Sequence, residues 1–309
     1  VNARRTALVL GAALVLPGAR PAAAATDAAL TRELEAAVAG FHGTAGVYAR
    51  RLSDGREAAV RADELFPTAS TVKVPILAAL LARVDSGALD YNAPLVYEST
   101  RAYVDDDLSA NLKDGAKLTP AKLAWLMETL SDNTAALWCQ ELAGGGAAVN
   151  EWLAAHGLEK TRVNSRTPGR EAERAQYGWG QTTPREMAGL FALMAQRKAG
   201  SPAASDELLR ALSRSFWDGE ALSVIPPRVH AASKQGAVDH SRSEVLLVSG
   251  PAGDYVLAVY TKDQTDASWR RENEGYELLR RVSAVVWRAF GEAKGWEPAA
   301  DSLRFYHKD

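Results

Sequence analysis

The stretch "FPTASTVKVPIL", residues 66–77, puts a serine and a lysine three residues apart where an apolar helix is expected to begin. Pro75 suits this placement, because an amide in the opening turn of a helix has no intrahelical acceptor to lose. Ser70 would then feel the positive end of the helix dipole, which favours a developing alkoxide, and Lys73 would follow one turn later on the same face. To accept a proton Lys73 must be neutral, which requires burial or a second cation nearby. Alone the pair carries little weight, since Ser-x-x-Lys arises roughly once by chance in a chain of this size. The rest of the chain has to decide between a nucleophile with its base and two surface residues.

Upstream, "TDAALTRELEAAVAGF" spaces Leu30, Leu34, Ala37, Val38 and Phe41 at helical intervals. "AGVYARRL" and "REAAVRA" then flank Ser53-Asp54-Gly55, the pattern of a β-hairpin. Downstream of Ser70 the periodicity is helical to about Val224. Thr119-Pro120 marks one helix start, and Thr183-Pro184-Arg185-Glu186 marks another in which Thr183 and Glu186 can form a reciprocal capping box. Between Ser165 and Thr182, "SRTPGREAERAQYGWGQT" has no sustained apolar period and reads as a long loop of functional or mobile character. "AGGGAA" at 143–148 lacks the setting of a dinucleotide fingerprint and reads as a flexible connection. Strand signals return in "VHAASKQGA", "SEVLLVSG" and "DYVLAVYT", before a closing helix from about Ser268 to Phe290. Strands at both ends with helices between predict an α/β chain of the α+β type. One antiparallel sheet is built by both termini (about 26–69 and 225–295) with its helices on one face, a helical lobe (about 70–224) is inserted, and a cleft lies between.

Composition narrows the function classes. A chain of 309 residues with 47% hydrophobic content can bury a large core, and a formal charge of −2 offers no cationic face for nucleic acid or anionic membrane. A small molecule or peptide is the expected partner, and a monomer the expected state. Arg4 and Arg5, the apolar run Ala7 to Leu16, Pro17 and the tract Ala23-Ala24-Ala25 read as a secretory signal over 1–25, ahead of a mature domain at 26–309. That run is well short of the roughly 20 residues needed to span a bilayer, and the arginine pair permits twin-arginine export. A periplasmic or secreted location follows. The lone Cys139, in an apolar stretch, reads as a buried structural thiol. His42, His156, His230, His240 and His307 include no pair at helical zinc spacing, so neither metal nor other cofactor is implied.

Two further polar clusters complete the pattern. Ser131-Asp132-Asn133-Thr134 could simply cap a helix, and Ser233-Lys234-Gln235-Gly236 could carry a solvated edge lysine. Each alone reads as structural, but their order along the chain, with helical segments between the first two and a strand for the third, points to function. The sequence resembles the class A β-lactamases and penicillin-interacting serine enzymes, whose signature is Ser-x-x-Lys, Ser-Asp-Asn and Lys-Thr-Gly. The resemblance spans nearly the whole mature chain, including "TTPREMAGLF" after the long loop. It implies a five-stranded sheet with an inserted all-helical lobe, and a Ser70 acyl-enzyme formed from a β-lactam. By the same carry-over Lys73 takes or relays the proton, Ser131 passes one to the leaving nitrogen, and Asn133 binds the acylamide side chain. Lys234 attracts the substrate carboxylate and depresses the proton affinity of Lys73, while the amides of Ser70 and Ala237 form the oxyanion hole.

Two departures stand out. Gln235 replaces a threonine whose hydroxyl would bond the carboxylate, with Gly236 retained to keep the strand edge open to a peptide-like substrate. In the loop, the position of the family's deacylating glutamate falls near Thr167, which cannot act as a base. A shifted register in "REAERAQ" offers Glu171, taken here as the base, or Glu173, with Gln176 to position water. Arg228 and Arg242 could supplement Lys234, and Tyr103 could wall the cleft. The expected partner is a small-molecule β-lactam or a peptidoglycan-like peptide, and two alternatives stand beside a β-lactamase: a D-alanyl peptidase-like or other amide hydrolase that β-lactams merely acylate, and a non-hydrolysing β-lactam/peptidoglycan-binding or sensor protein.

Overall fold

The computed structural model describes residues 25–104, 106–291 and 296–305. The residues read as a signal peptide lie almost entirely outside the described residues.

The chain opens with α1 (Ala28–Val38), capped by Asp27, whose side chain accepts the Leu30 amide at 3.0 Å. β1 (Thr44–Arg51) and β2 (Glu57–Val60) form the expected hairpin. β3 (Phe66–Pro67) leads through a 3-10 turn, Ala69–Val72, into α2 (Lys73–Asp85). Every residue of α2 from Lys73 to Leu81 is buried, so this helix is the central post of the inserted lobe rather than an amphipathic surface helix.

Around it stand β4 (Leu95–Val96), β5 (Lys117–Leu118), α3 (Pro120–Thr129), α4 (Asn133–Leu142), α5 (Gly145–Ala155), β6 (Arg162–Val163), α6 (Glu171–Tyr177), β7 (Gly180–Thr182), α7 (Pro184–Ala195) and α8 (Pro202–Leu212). The lobe is therefore not all-helical: β4 pairs with β5, and β3, β7 and β6 form a small sheet. Three local expectations also change. The 165–182 stretch is not a bare loop but contains α6 and β7. "AGGGAA" opens α5, with Gly144 at φ 98° where a side chain would be strained, and a Cβ on Gly146 would strike Thr167. Only half of the capping box forms: Thr183 Oγ1 accepts the Glu186 amide at 3.1 Å, but the Glu186 carboxylate accepts the Thr161 amide at 2.6 Å and the Lys160 amide at 2.9 Å.

β8 (His230–Val238), β9 (Ser241–Gly250), β10 (Gly253–Lys262) and α9 (Glu274–Phe290) close the chain. Asn273 starts α9 later than Ser268 by accepting the Gly275 amide at 2.9 Å. The five strands lie in the order β2-β1-β10-β9-β8, all antiparallel, so β8 is an edge. Period-2 alternation sorts two apolar faces. Leu246, Val248, Leu257 and Val259 meet Leu34 of α1 and Leu279 and Val282 of α9. Val245, Leu247, Val256 and Ala258 meet Met187 and Phe191 of α7 and the core of the inserted lobe. Helices thus cover both faces of the sheet, not one.

Arg242 does not reach toward a cleft, as one expectation had it. Fully buried, it donates to the carbonyls of Val238, Ser241 (2.9 Å) and Ser268 (2.8 Å), between the rings of Trp269 and Tyr276 at 4.6 and 4.7 Å. Charge-assisted hydrogen bonds and desolvated cation–π contacts are each worth about 1.5–3 kcal/mol. Arg242→Met is therefore expected to lower the unfolding free energy in urea by about 3 kcal/mol or more, and an unchanged midpoint would contradict this assignment.

Candidate active site

Ser70 sits in the 3-10 turn ahead of α2, and three elements pin that turn. The Thr68 amide donates to Gly180 O of β7 at 2.9 Å, Tyr260 OH of β10 donates to Thr71 Oγ1 at 2.9 Å, and Ser243 Oγ of β9 donates to Thr68 O at 3.2 Å. β8 presses on the same turn. A Cβ on Gly236 would lie 2.8 Å from both the Ser70 amide nitrogen and Thr68 O. Gly236 is thus required by close approach to the nucleophile's own backbone. Ala69, immediately before Ser70, has φ 44°, a conformation costing an L residue about 1–3 kcal/mol and met most often at functional sites.

From this turn Lys73 reaches a dense polar knot. Its Nζ lies 3.0 Å from Ser70 Oγ, 3.1 Å from Ser131 Oγ and 2.8 Å from Asn133 Oδ1, and bonds the Ser131 carbonyl as well. Lys234 Nζ lies 3.0 Å from the same Ser131 Oγ and 3.1 Å from Gln235 O. Both lysines are essentially buried, at 0% and 1% exposure, so neither is a solvated surface charge. Burial, and then the charge of Lys234, drive the proton affinity of Lys73 well down, against the opposing pull of Glu128, Asp107 and Asp132. Burial likewise lowers Lys234. The second cation therefore assists, but desolvation comes first. A neutral Lys73 amine beside a serine hydroxyl can accept its proton.

Ser131 joins the two lysines because its backbone is left-handed, at φ 60°, between α3 and α4. Two carboxylates hold that bend. Asp132 caps α4 through the Ala135 amide at 2.7 Å and also accepts the Ser109 amide (2.8 Å) and hydroxyl (2.6 Å). Asp107 accepts the Asn133 amide at 2.8 Å, the Thr134 amide at 2.7 Å and Thr134 Oγ1 at 2.6 Å. Sequence reasoning missed Asp107, although "DDDL" beside Tyr103 was a visible acidic run.

A cavity of about 520 Å³ opens at Ser70, lined also by Asn133, Ala237, Tyr103, Gln176 and Trp179. Tyr103 and Trp179, both in its lining, pack edge to face with ring centroids 5.1 Å apart. Gln235 is half-buried on β8, opposite Glu244, and Arg228 is exposed. Glu171 is not brought to the nucleophile: it is exposed at the start of α6, turned back to the Gly169 amide at 3.1 Å. Glu173 pairs with Arg170 at 3.5 Å, and neither lines the cavity. α6 forms where a loop was expected, and its first turn carries both carboxylates away. Arg170 anchors the segment to Asn164 (2.8 Å) and Gln181 (2.9 Å). Thr167 is buried, donating to Ser165 O at 3.0 Å. Cys139 is buried in α4, and burial raises its thiol well above the ordinary range.

A family model described as the β-lactamase enzyme family matches residues 29–290. The chain belongs to this family. Among solved structures, PBP-A is 28% identical, with a TM-score of 0.76 over 86% of this chain and 97% of its own. A single-residue variant of PBP-A, captured as an acyl-enzyme with penicillin G, matches at the same identity and TM-score over 86% and 98%. An ancestral class A β-lactamase of Gram-negative bacteria is 28% identical, with a TM-score of 0.73 over 84% of this chain and all of its own. Against this β-lactamase-family frame, the Ser-Asp-Asn bend depends on a carboxylate that an amide cannot replace, since Asp107 uses both oxygens on three donors. Asp107→Asn is expected to cost about 2 kcal/mol of stability, measured by urea unfolding, and a loss under about 0.5 kcal/mol would remove Asp107 from this role.

Proposed function

We propose that the chain is an exported serine hydrolase that opens the β-lactam ring through an acyl-enzyme on Ser70. The observation that carries it is the approach of Lys73 Nζ to Ser70 Oγ at 3.0 Å inside a buried site, with Ser131 Oγ shared by Lys73 and Lys234. Ser70 Oγ attacks the lactam carbonyl as its proton passes to Lys73. The C–N bond then breaks, and Ser131 delivers the proton to the departing nitrogen. Asn133 binds the acylamide arm, Lys234 with Gln235 receives the carboxylate, and the amides of Ser70 and Ala237 hold the oxyanion. Gly236 lets β8 come close enough for this. We take residues 26–309 as one functional domain, and the Arg4-Arg5 and apolar leader pattern supports a periplasmic or secreted location. No helix among the described residues is long and apolar enough to cross a membrane.

A second reading rests on the position of Glu171 and Glu173. With both turned from the cavity and Gln176 lining it, a glutamine amide faces the place where a base would activate water. The acyl-enzyme is then long-lived, as in an amide hydrolase or peptidase that β-lactams inactivate. Mass spectrometry after brief exposure to penicillin G tests both. A Ser70 adduct is expected in the parent protein and none in Ser70→Ala, with Lys73→Met slowing its formation by about 10² or more. A transient adduct with continuing penicillin loss supports the β-lactamase, a persistent one the peptidase-like reading, and no adduct at any time sinks both.

A further inference from the structure

Glu128, in the last turn of α3, is buried to 1% exposure, and neither of its carboxyl oxygens has a hydrogen-bond partner among the described residues. Burying a carboxyl without donors is costly, so such a group calls for a reason. Its surroundings supply one. α3 packs on α2, α4 and α8. From α2 comes Lys73, and from β8 Lys234, and the Glu128 charge raises the proton affinity of both. α4 offers the Cys139 thiol, and Tyr91 also feels this charge. Glu207 of α8 is occupied by Tyr91 OH at 3.3 Å and Arg210 at 3.1 Å. Asp107 and Asp132, the other carboxylates acting on Lys73, are committed to amide and hydroxyl donors. Glu128 differs from these three carboxylates in having no such commitment.

We propose that Glu128 is a positioning residue for the reaction, its ionised carboxylate supplying the buried countercharge for the proton that Lys73 takes from Ser70. This rests on the serine-hydrolase reading above. As the bond between Ser70 Oγ and the carbonyl carbon forms, the hydroxyl proton moves to Lys73 Nζ. An ammonium then exists transiently beside Lys234, and the nearby carboxylate offsets that repulsion until Ser131 passes the proton to the leaving nitrogen. No proton is gained or lost by Glu128 itself. Burial, opposed by the charges of Lys234 and Lys73, raises its carboxyl to about 7, so the countercharge is present above neutrality and withdrawn below it.

Glutamine mimics the protonated carboxyl, which fixes the sign of the test. Rates of labelling by a fluorescent penicillin would be measured from about pH 5 to about pH 9 for the parent protein and Glu128→Gln. The variant is expected to be slower by about tenfold at the alkaline end, with the two rates converging below neutrality. A purely structural role lowers the rate by one factor at every pH, and that outcome, or equal rates throughout, overturns the proposal. If Glu128→Gln does not fold, Glu128→Met, which replaces the partnerless carboxyl with an apolar chain of similar length, should show the same alkaline deficit. A second readout needs no penicillin: by ¹³C NMR the Lys73 ε-carbon, assigned by its loss in Lys73→Met, should titrate at lower pH once Glu128 is replaced. An unmoved titration overturns the proposal even where labelling works. A moved one in a chain that penicillin never labels upholds the electrostatic link and rejects the β-lactam reading instead.

Discussion

Two amines converge on one hydroxyl oxygen. Lys73 from α2 and Lys234 from β8 lie 3.1 and 3.0 Å from Ser131 Oγ, in a site that exposes almost nothing of either side chain. Two like charges in so small a buried volume cannot both be comfortably held, because desolvation penalises each and their repulsion penalises the pair. The least costly state keeps an amine neutral, and the amine held at 3.0 Å from Ser70 Oγ is lowered both by burial and by the charge of Lys234. The chemistry proposed for this site needs no exotic group. It needs ordinary lysines denied water.

That denial is a property of the fold. Lys234 is carried by an edge strand, where lysine normally reaches solvent, but β8 is pressed on the Ser70 turn through Gly236, and the inserted lobe closes over it. Lys73 begins a helix whose first nine residues, Lys73 to Leu81, are all buried. The lobes are therefore joined through the site itself. Asp107 and Asp132 hold the Ser131 bend, Tyr260 and Ser243 hold the Ser70 turn, and the left-handed residues Ala69 and Ser131 lie at the two points so held. Strain of this kind persists only where surrounding contacts over-determine it.

The sheet and the three motifs were legible because they rest on local signals. Short continuous apolar runs rich in valine mark β9 and β10, Thr-Pro pairs mark α3 and α7, and Ser-x-x-Lys, Ser-Asp-Asn and Lys-Gln-Gly are short strings. The failures share a different character. Whether helices cover one face of the sheet or both depends on where an inserted lobe packs, which no window of sequence contains. The Glu186 carboxylate abandons its own helix cap for amides at 160 and 161. Asp107 looks like a solvated acid until the Ser-Asp-Asn bend is folded against it, and Glu128 sits in "LAWLMETL" with nothing beside it in sequence to reveal two lysines in space. The glutamates of "REAERAQ" failed for a local reason. A helix of seven residues forms there and begins at Glu171, so the register that seemed to deliver a carboxylate to the cleft turns it toward the Gly169 amide.

Acylation and deacylation make different demands, and the site meets them unequally. Attack by Ser70 draws on groups fixed by burial, short hydrogen bonds and strained backbone, all of which are preorganised before a substrate arrives. Releasing the ester requires a base placed against a water on the far side of the carbonyl. That side of the cavity is walled by Gln176 and Tyr177 of α6 and by Gly178 and Trp179 after it, and Gln176 can orient a water but cannot take its proton. In the reaction proposed, the lifetime of the ester falls to a short surface helix and its formation to the core. On that proposal the two halves of the reaction draw on separate parts of the fold, so a change in the 165–182 segment would alter turnover without touching the lysine pair assigned to the first step.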